Sequence, residues 1–301
     1  MKIRANGIDI EVEDSGADGS QQGRPVVLLI MGLGMQLVAW PPALVQALVD
    51  AGYRVLRHDN RDIGLSQHFD QLGKPNVLWA SVKLKLGFTP HAPYSVHDMA
   101  LDALGVLDAL NIAQAHVVGV SMGGMIAQRV ALAAPDRVLS LSSIMSSSGA
   151  RGLPEAKPAV IRALLRRPAG DTVPAIVDHY VKLFRVIGSP AWPVEETALR
   201  ERIALGLNRS YHPVGTLRQM VAIAADTGKR ALELGRIRSP TLVLHGRADP
   251  LVPYACGEDT ARRIPGARMV GIDGMGHDLP PGVVERLLGH IVPHLRAAST
   301  A

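Results

Sequence analysis

The chain has 301 residues, of which 47% are hydrophobic and 20% are charged, a balance typical of a globular protein with a sizeable core. Its net charge of +5 comes from scattered basic residues, and the lack of a long lysine or arginine tract argues against a nucleic-acid partner. The single cysteine, Cys256, excludes an intrachain disulfide, and no apolar run in the sequence is long enough to span a bilayer.

The first predicted element is a β-hairpin within Lys2 to Glu13, because Asn6-Gly7 is a type I′ turn signal between alternating apolar residues. This segment lacks the apolar core of a signal peptide, so we expect a cytoplasmic protein with no membrane partner. The Gly- and Ser-rich stretch from Asp14 to Arg24 is expected to follow as a surface loop.

A buried strand and a glycine-rich loop come next. Pro25 to Met31 is a continuous apolar run, the pattern of a strand covered on both faces of a parallel sheet. The loop Gly32 to Met35 begins where this strand ends, and ligands of such sheets bind at the carboxyl ends of strands. We predict that the Leu33 N–H binds a reacting oxygen there. The alternative is an ordinary flexible turn between a strand and a helix.

Strands and helices continue to alternate up to the centre of the chain. Asp59 to Ser66 is a polar turn that follows the predicted strand Tyr53 to His58. We interpret this turn as structural support for a site. Gln67 to Pro93 is predicted to be a long irregular insert. The remaining elements are a helix from Pro41-Pro42 to about Asp50, a strand from Tyr53 to His58, and a helix from the capping-box-like Ser95 to Leu110.

The central motif is Gly119-Val120-Ser121-Met122-Gly123, between a predicted strand that begins at Ala115 and a predicted helix that ends near Ala134. Small residues let the strand and the helix pass closely, and the tight turn predicts a strained backbone that lifts the Ser121 hydroxyl out of the sheet. The Met122 N–H points to the same place with the positive end of the helix dipole. We therefore predict Ser121 as a nucleophile and Met122 as a second oxyanion donor.

The pattern changes after a further apolar strand, Val138 to Met145. Residues 149–230 carry apolar residues at helical spacing and no strand signal, which predicts a helical cap. The expected core is then formed by residues 1–148 and 231–301. Because aromatic residues make up only 4% of the chain, we expect a pocket beneath the cap with mainly aliphatic and Met walls. Its predicted lining residues are Gly32, Met35, Met145, Phe184 and Trp192.

Two strands after the cap supply the partners that a serine nucleophile needs, which are a base and a carboxylate that orients the base. Asp249 follows the predicted strand Pro240 to Leu244, and His277 follows the last predicted strand, Ala267 to Ile272. We predict Asp249 as the acid and His277 as the base, in the chain order Ser, Asp, His.

Other titratable residues compete for these roles. Asp226 and Asp273 remain alternative acids, whereas Asp278, next to the predicted base, is interpreted as a solvated loop charge. His58 precedes the serine in the chain, so it is not preferred as the base. His245 ends a strand whose following loop must supply the acid, so it is not preferred either.

Together with His245 to Asp249 and Gly274 to His277, the serine motif resembles the α/β-hydrolase superfamily over nearly the whole chain. The segments similar to the branch that contains aclacinomycin methylesterase are Met31 to Gly34, Asp59 to Ser66 and Gly274 to Pro280. The resemblance implies an α/β-hydrolase fold, with an eight-stranded and mostly parallel sheet flanked by helices, and a helical cap. It also implies a carboxylic ester hydrolase with oxyanion donors at Leu33 and Met122.

One departure from the family concerns the oxyanion loop. Many relatives carry His-Gly before this loop, where this chain has Met31-Gly32. The backbone donor is unaffected, but we expect different hydrogen bonds to shape the loop. The serine at position 121, in place of an aspartate, argues against an epoxide hydrolase or a haloalkane dehalogenase.

The sequence thus predicts a serine esterase that cleaves short- to medium-chain or small methyl esters through an acyl-enzyme, with no cofactor and no metal. A small-molecule ester is the expected partner, and the sequence makes no prediction of oligomeric state. The alternatives are lactone opening, C–C bond hydrolysis or perhydrolysis on the same triad, and a ligand-binding receptor with slow turnover. Steady turnover of simple esters distinguishes an enzyme from a receptor, and a substrate panel distinguishes the reactions.

Overall fold

A twisted sheet of eight strands forms the centre of the computed structural model, which describes residues 1–299. The strands are β1 (Lys2–Ala5), β2 (Ile8–Asp14), β3 (Val26–Ile30), β4 (Arg54–His58), β5 (Ala115–Val120), β6 (Val138–Ile144), β7 (Thr241–Gly246) and β8 (Arg268–Ile272). Their order across the sheet is β1-β2-β4-β3-β5-β6-β7-β8. β2 pairs antiparallel with β1 and β4, and all other neighbouring pairs are parallel. The expected eight-stranded, mostly parallel sheet is confirmed.

Helices flank this sheet and also form a separate group between β6 and β7. They are α1 (Pro42–Asp50), α2 (Val77–Lys85), α3 (Val96–Ala109), α4 (Met122–Ala133), α5 (Pro158–Leu165), α6 (Val173–Ile187), α7 (Glu196–Arg209), α8 (Pro213–Asp226), α9 (Arg230–Glu233), α10 (Tyr254–Arg263) and α11 (Pro281–Ser299). Short 3₁₀ turns lie at Leu37–Ala39, Asp70–Leu72, Pro135–Arg137 and Leu234–Arg236. None of the helices within residues 1–299 is long and apolar enough to cross a lipid bilayer.

β3 shows why a continuous apolar run marks a strand in the middle of such a sheet. Leu28 and Ile30 join a core cluster with residues of α3 and α4, whereas Val27 and Leu29 point the other way and join a cluster with residues of α1 and α11. All four side chains are fully buried. Because both faces are covered by helices, a polar residue has no favourable position on either side of this strand.

Local sequence signals fix several element boundaries as predicted. Asn6 and Gly7 both have positive φ angles, 48° and 75°, and they join β1 to β2 as a tight hairpin. Ser95 caps α3 in a complete capping box with Asp98, which satisfies two backbone donors at the start of that helix.

Apart from the single turn of α9, two helices were not predicted. α2 lies inside the segment that we expected to be irregular, and Asn76 caps it by accepting a hydrogen bond from the Trp79 N–H. Its sequence, V-L-W-A-S-V-K-L-K, has apolar residues on every side, so it lacks the polar face on which a periodicity argument depends. α5 begins at Pro158, a favourable first residue of a helix, but its eight residues give too short a pattern to recognise.

The inserted helices α5 to α8 occupy the region that we predicted as a cap. They have a small core cluster of their own, which includes Val177, Val181 and Leu199. Two ion pairs join them to the turn after β4: Arg209 binds Asp59 at 2.6 Å, and the buried Arg218 forms a two-pronged pair with Asp62. The inserted helices are therefore anchored to the carboxyl edge of the sheet.

Candidate active site

Ser121 lies in a strained turn between β5 and α4. Its φ of 56° and ψ of −120° are unfavourable for a residue with a side chain, as we predicted for this turn. Hydrogen bonds hold the turn on both sides: the Ser121 N–H donates to the Ile144 carbonyl at 2.9 Å, and Ser146 Oγ donates to the Ser121 carbonyl at 2.7 Å. The rigid turn fixes the direction of the Ser121 hydroxyl.

Glycines around Ser121 let three backbone segments pass very close to one another. A Cβ at Gly119 would overlap the carbonyl of Gly123, and a Cβ at Gly123 would overlap the carbonyl of Ile30. Gly32 also packs tightly, since a Cβ there would lie 3.2 Å from the Cβ of Ser121. The expected close passage of strand and helix is confirmed, and it places the loop after β3 directly against the serine.

A continuous chain of hydrogen bonds joins Ser121, His277 and Asp249. His277 Nε2 lies 3.0 Å from Ser121 Oγ, and His277 Nδ1 lies 2.7 Å from Asp249 Oδ2. The other carboxylate oxygen, Asp249 Oδ1, accepts from the N–H groups of Leu251 and Val252, both at 2.9 Å. The structure therefore brings together the three residues that the sequence pattern selected. The arrangement lets His277 take a proton from the serine while the buried carboxylate stabilises the resulting imidazolium.

The loop that carries His277 is held by the end of α6. The His277 N–H donates to the Ile187 carbonyl at 2.7 Å, and the Gly276 N–H donates to Ser189 Oγ at 2.9 Å. Ser189 in turn donates its N–H and its hydroxyl to Asp278 Oδ1, at 3.0 and 2.5 Å. These bonds fix the backbone on both sides of the imidazole.

The interpretation of Asp278 as a solvated charge is wrong. Its side chain is buried, and burial raises the pKa of this carboxyl, although hydrogen bonds from Ser189 oppose the rise. The sequence places Asp278 in a polar loop but does not show that the chain after α6 covers it. Asp278 therefore belongs to the structure that positions the histidine.

The alternative acids lie elsewhere. Asp226 is buried beside Arg129, which donates two hydrogen bonds to its Oδ1. Asp273 has a largely exposed side chain and pairs with Arg247 at 3.1 Å. Within residues 1–299, neither carboxylate forms a hydrogen bond with His277.

The two predicted oxyanion donors have free N–H groups. Throughout the described chain, no acceptor is bonded to the backbone N–H of Leu33 or of Met122. Met122 is the first residue of α4, so its N–H has no partner within the helix and adds to the positive end of the helix dipole. Both donors lie close to Ser121. Leu33 follows Gly32, which packs against Ser121, and Met122 is the next residue after Ser121 in the chain.

Polar side chains shape the loop after β3. Asn60 Nδ2 donates to the Met31 carbonyl at 2.9 Å, and Asp59 Oδ1 accepts from the Leu37 N–H at 2.7 Å. Gln219 Oε1, from α8, accepts from the Gly34 N–H at 3.0 Å. The expected supporting role of the turn after β4 is confirmed. The contribution of Gln219 was missed, because this residue is 185 positions away in the sequence.

A cavity lies between this loop and the inserted helices. Gly34 and Met35 line one side, and Phe184 lines the other. Further apolar or aromatic walls come from Val38, Ala39, Ile63, Tyr180, Ile203, Leu207, Tyr211 and Pro213. Arg202 also lines the cavity, with its guanidinium 5.9 Å from the centre of the Phe184 ring. The cavity thus lies next to the predicted oxyanion loop, and Phe184 is one helical turn before the Ile187 carbonyl that holds His277.

The predicted pocket residues separate into two groups in the structure. Met35 and Phe184 line this cavity, and Gly32 lies against Ser121. Met145 is buried in the core beneath the sheet edge, and Trp192 packs against Gly282 at the start of α11. Neither Met145 nor Trp192 lines the cavity that Met35 and Phe184 share.

Comparison with known proteins gives concordant results. Residues 25–177 match a family model described as alpha/beta hydrolase fold, and residues 222–282 match one described as TAP-like protein. The chain is 32% identical over 295 residues to rhodomycin D methylesterase DauP of Streptomyces sp. strain C5, with 91% of each chain covered. The same identity and coverage hold for rhodomycin D methylesterase DnrP of Streptomyces peucetius. The enol-lactonase of Burkholderia xenovorans LB400 shares the fold, with a TM-score of 0.68 at 22% identity, covering 98% of this chain and 100% of that chain.

Proposed function

Because this chain belongs to the α/β-hydrolase family, we propose that it is a serine esterase in which Ser121 forms an acyl-enzyme with its substrate. Its class is that of a carboxylic ester hydrolase, given the two methylesterase relatives that match most of the chain. One observation carries the proposed mechanism: the hydrogen bonds of 3.0 and 2.7 Å that connect Ser121 to His277 and His277 to Asp249.

In the proposed acylation step, Ser121 Oγ attacks the ester carbonyl carbon while His277 Nε2 takes the hydroxyl proton. Asp249 stabilises the imidazolium that forms and keeps His277 Nδ1 protonated. The N–H groups of Leu33 and Met122 bind the oxyanion of the tetrahedral intermediate. His277 then gives its proton to the leaving alcohol, and the acyl group stays on Ser121.

Deacylation repeats these steps with water as the nucleophile. His277 removes a proton from the water, which attacks the acyl carbonyl, and the same two N–H groups bind the second oxyanion. The carboxylic acid leaves when Ser121 Oγ regains its proton. Every proton transfer in this cycle uses a side chain of the triad, so the proposal needs no metal and no cofactor.

The cavity beside Met35 and Phe184 supports a substrate class. Its apolar walls favour an aliphatic acyl group, with a gain of about 0.8 kcal/mol for each buried CH₂. We propose short- to medium-chain esters, and the methylesterase relatives support small methyl esters as well. On this view residues 149–230 form a cap, because α6, α7 and α8 supply the cavity wall opposite the loop after β3. We further propose that the enzyme acts in the cytoplasm.

A substrate panel tests this proposal. Initial rates are measured with p-nitrophenyl esters, methyl esters and lactones, with Ser121→Ala as the matched control for background hydrolysis. The proposal predicts multiple turnovers of simple esters and a fall of kcat by a factor on the order of 10³ or more in the variant. Faster turnover of lactones than of any ester would favour a lactonase on the same triad. A single slow turnover with every substrate would favour a receptor.

A further inference from the structure

The outer face of α2 is apolar although it faces solvent. Leu78, Val82 and Leu86 follow one another at four-residue spacing along this face, and Trp79 and Phe88 extend it. These five side chains, which we call the α2 outer face, are between 44% and 70% exposed. The opposite side of the helix, which includes the buried Ala80, packs against α8. The helix is therefore already anchored to the protein, and the outer face is not needed for that contact.

Single exposed apolar residues are common on proteins, but contiguous apolar patches mark interaction surfaces. The α2 outer face places five large apolar side chains within eleven residues of sequence. Beside it, Trp79 and Ala80 also line a groove with Pro75, Pro90 and Pro93. Trp79 thus belongs both to the α2 outer face and to this groove, whose lining also includes Asn76, Lys83 and His91.

The charged residues in the sequence around this surface are positive. Lys74, Lys83 and Lys85 lie within or beside α2, and no acidic residue occurs in the sequence between Asp70 and Asp98. The Lys83 ammonium group lies 5.7 Å from the centre of the Trp79 ring. A tryptophan and a phenylalanine surrounded by lysines form the composition that binds at the interface of an anionic membrane, where the rings insert and the lysines contact lipid phosphates.

We propose that the α2 outer face docks on an anionic lipid surface. The charge argument favours lipid over a second copy of the chain, because a two-fold symmetric contact would bring Lys83 and Lys85 close to the same residues of the other copy. Docking also orients the rest of the molecule, since α2 packs on α8 and Thr216 of α8 lines the cavity that Met35 and Phe184 share. The inference does not depend on the esterase mechanism, so either proposal can fail without the other.

Vesicle binding tests the inference directly. The purified full-length protein is sedimented with phosphatidylcholine vesicles that contain or lack about one third phosphatidylglycerol, and the partition coefficient is measured at low and high salt. We expect binding to the anionic vesicles that weakens with salt. Trp79 gives a second readout: its emission should shift to the blue on binding, and Trp79→Phe should abolish the shift, since Trp40 is fully buried and Trp192 is half-buried.

Matched variants separate the apolar and the electrostatic contributions. Leu78→Ser/Leu86→Ser should lower the partition coefficient by at least about tenfold on anionic vesicles. Lys83→Gln/Lys85→Gln should lower it by about 30-fold there. The control Leu205→Ser/Leu232→Ser removes two exposed leucines of α7 and α9, at 56% and 83% exposure, and should leave binding unchanged. All variants should keep their rate on a water-soluble ester within about twofold, which verifies the fold.

Three results would overturn the inference. The first is no binding of the unaltered protein to anionic vesicles. The second is binding that the two α2 variants and the control affect equally. The third is a concentration-dependent dimer that Leu78→Ser/Leu86→Ser dissociates in the absence of vesicle binding, which would assign the α2 outer face to a second copy of the chain.

Discussion

Asp249→Asn is the most informative single change, because the surroundings of Asp249 dictate how an asparagine must sit there. Asp249 Oδ1 accepts hydrogen bonds from the N–H groups of Leu251 and Val252, and only an oxygen satisfies these two donors. The asparagine therefore keeps its oxygen on that side and turns its NH₂ group towards His277 Nδ1. Because the NH₂ group is a donor, His277 Nδ1 must act as the acceptor and carry no hydrogen. The ring hydrogen is then on Nε2, and the imidazole cannot accept the Ser121 proton.

The size of the effect follows from these contacts. Reversing the amide would restore the productive tautomer but would leave the two backbone donors facing an NH₂ group. At about 1 kcal/mol for each lost hydrogen bond, the reversal costs about 2 kcal/mol, so only about one molecule in 30 is productive. The loss of the negative charge that stabilises the imidazolium adds to this factor. We therefore expect kcat to fall by a factor on the order of 10³ to 10⁴.

The assay compares kcat for a p-nitrophenyl ester in three variants. Asp249→Asn should fold normally, because its oxygen keeps both backbone hydrogen bonds, and thermal unfolding checks this. Asp273→Asn is the matched control, since its exposed carboxylate pairs only with Arg247 among the described residues, and its rate should stay within about twofold. A loss below tenfold for Asp249→Asn would refute the reasoning, as would a greater loss for Asp273→Asn or Asp226→Asn.

Three further predictions follow from the site and its surroundings. His277→Ala should lower kcat about as much as Ser121→Ala, and the double variant should be no worse than either, because the residues act as one unit; additive losses would contradict this. For p-nitrophenyl esters of two to sixteen carbons, kcat/KM should rise by up to about fourfold for each CH₂ from acetate to a short or medium chain and then fall, whereas a flat profile or a maximum at the longest chain would exclude an enclosed pocket. Asp278→Asn should leave the urea midpoint nearly unchanged, because burial already disfavours the charged carboxylate and the amide oxygen still accepts from Ser189. Asp278→Ala should lower stability by about 1–3 kcal/mol, and equal midpoints for the two variants would show that the Ser189 bonds contribute nothing.

Local patterns were sufficient to predict the sheet and the serine turn. The apolar run of β3 and the turn at Ser121 each require a particular short sequence, because the strand is buried on both faces and the turn tolerates only glycine where backbones touch. The positions of Asp249 and His277 followed from the carboxyl ends of parallel strands, which meet at one edge of the sheet.

Contacts between distant segments were not predictable in this way. Gln219 and Ser189 hold the loops that carry Leu33 and His277, but their partners are 185 and 87 positions away. A lone polar residue in a helix or just after one gives no sign of such a role. The burial of Asp278 was missed for the same reason, since the covering residues come from the end of α6. The helix α2 was missed because its apolar outer face hides the usual amphipathic pattern.

The covalent intermediate on Ser121 is the central claim, and intact mass spectrometry tests it most directly. The enzyme is mixed with excess p-nitrophenyl ester, quenched in acid within the first turnover, and then digested to locate the adduct. We predict a mass increase equal to one acyl group, carried by the peptide that contains Ser121, together with a burst of p-nitrophenol of about one equivalent. Rapid ester turnover by a protein that shows no burst and no acyl adduct on that peptide would contradict the account.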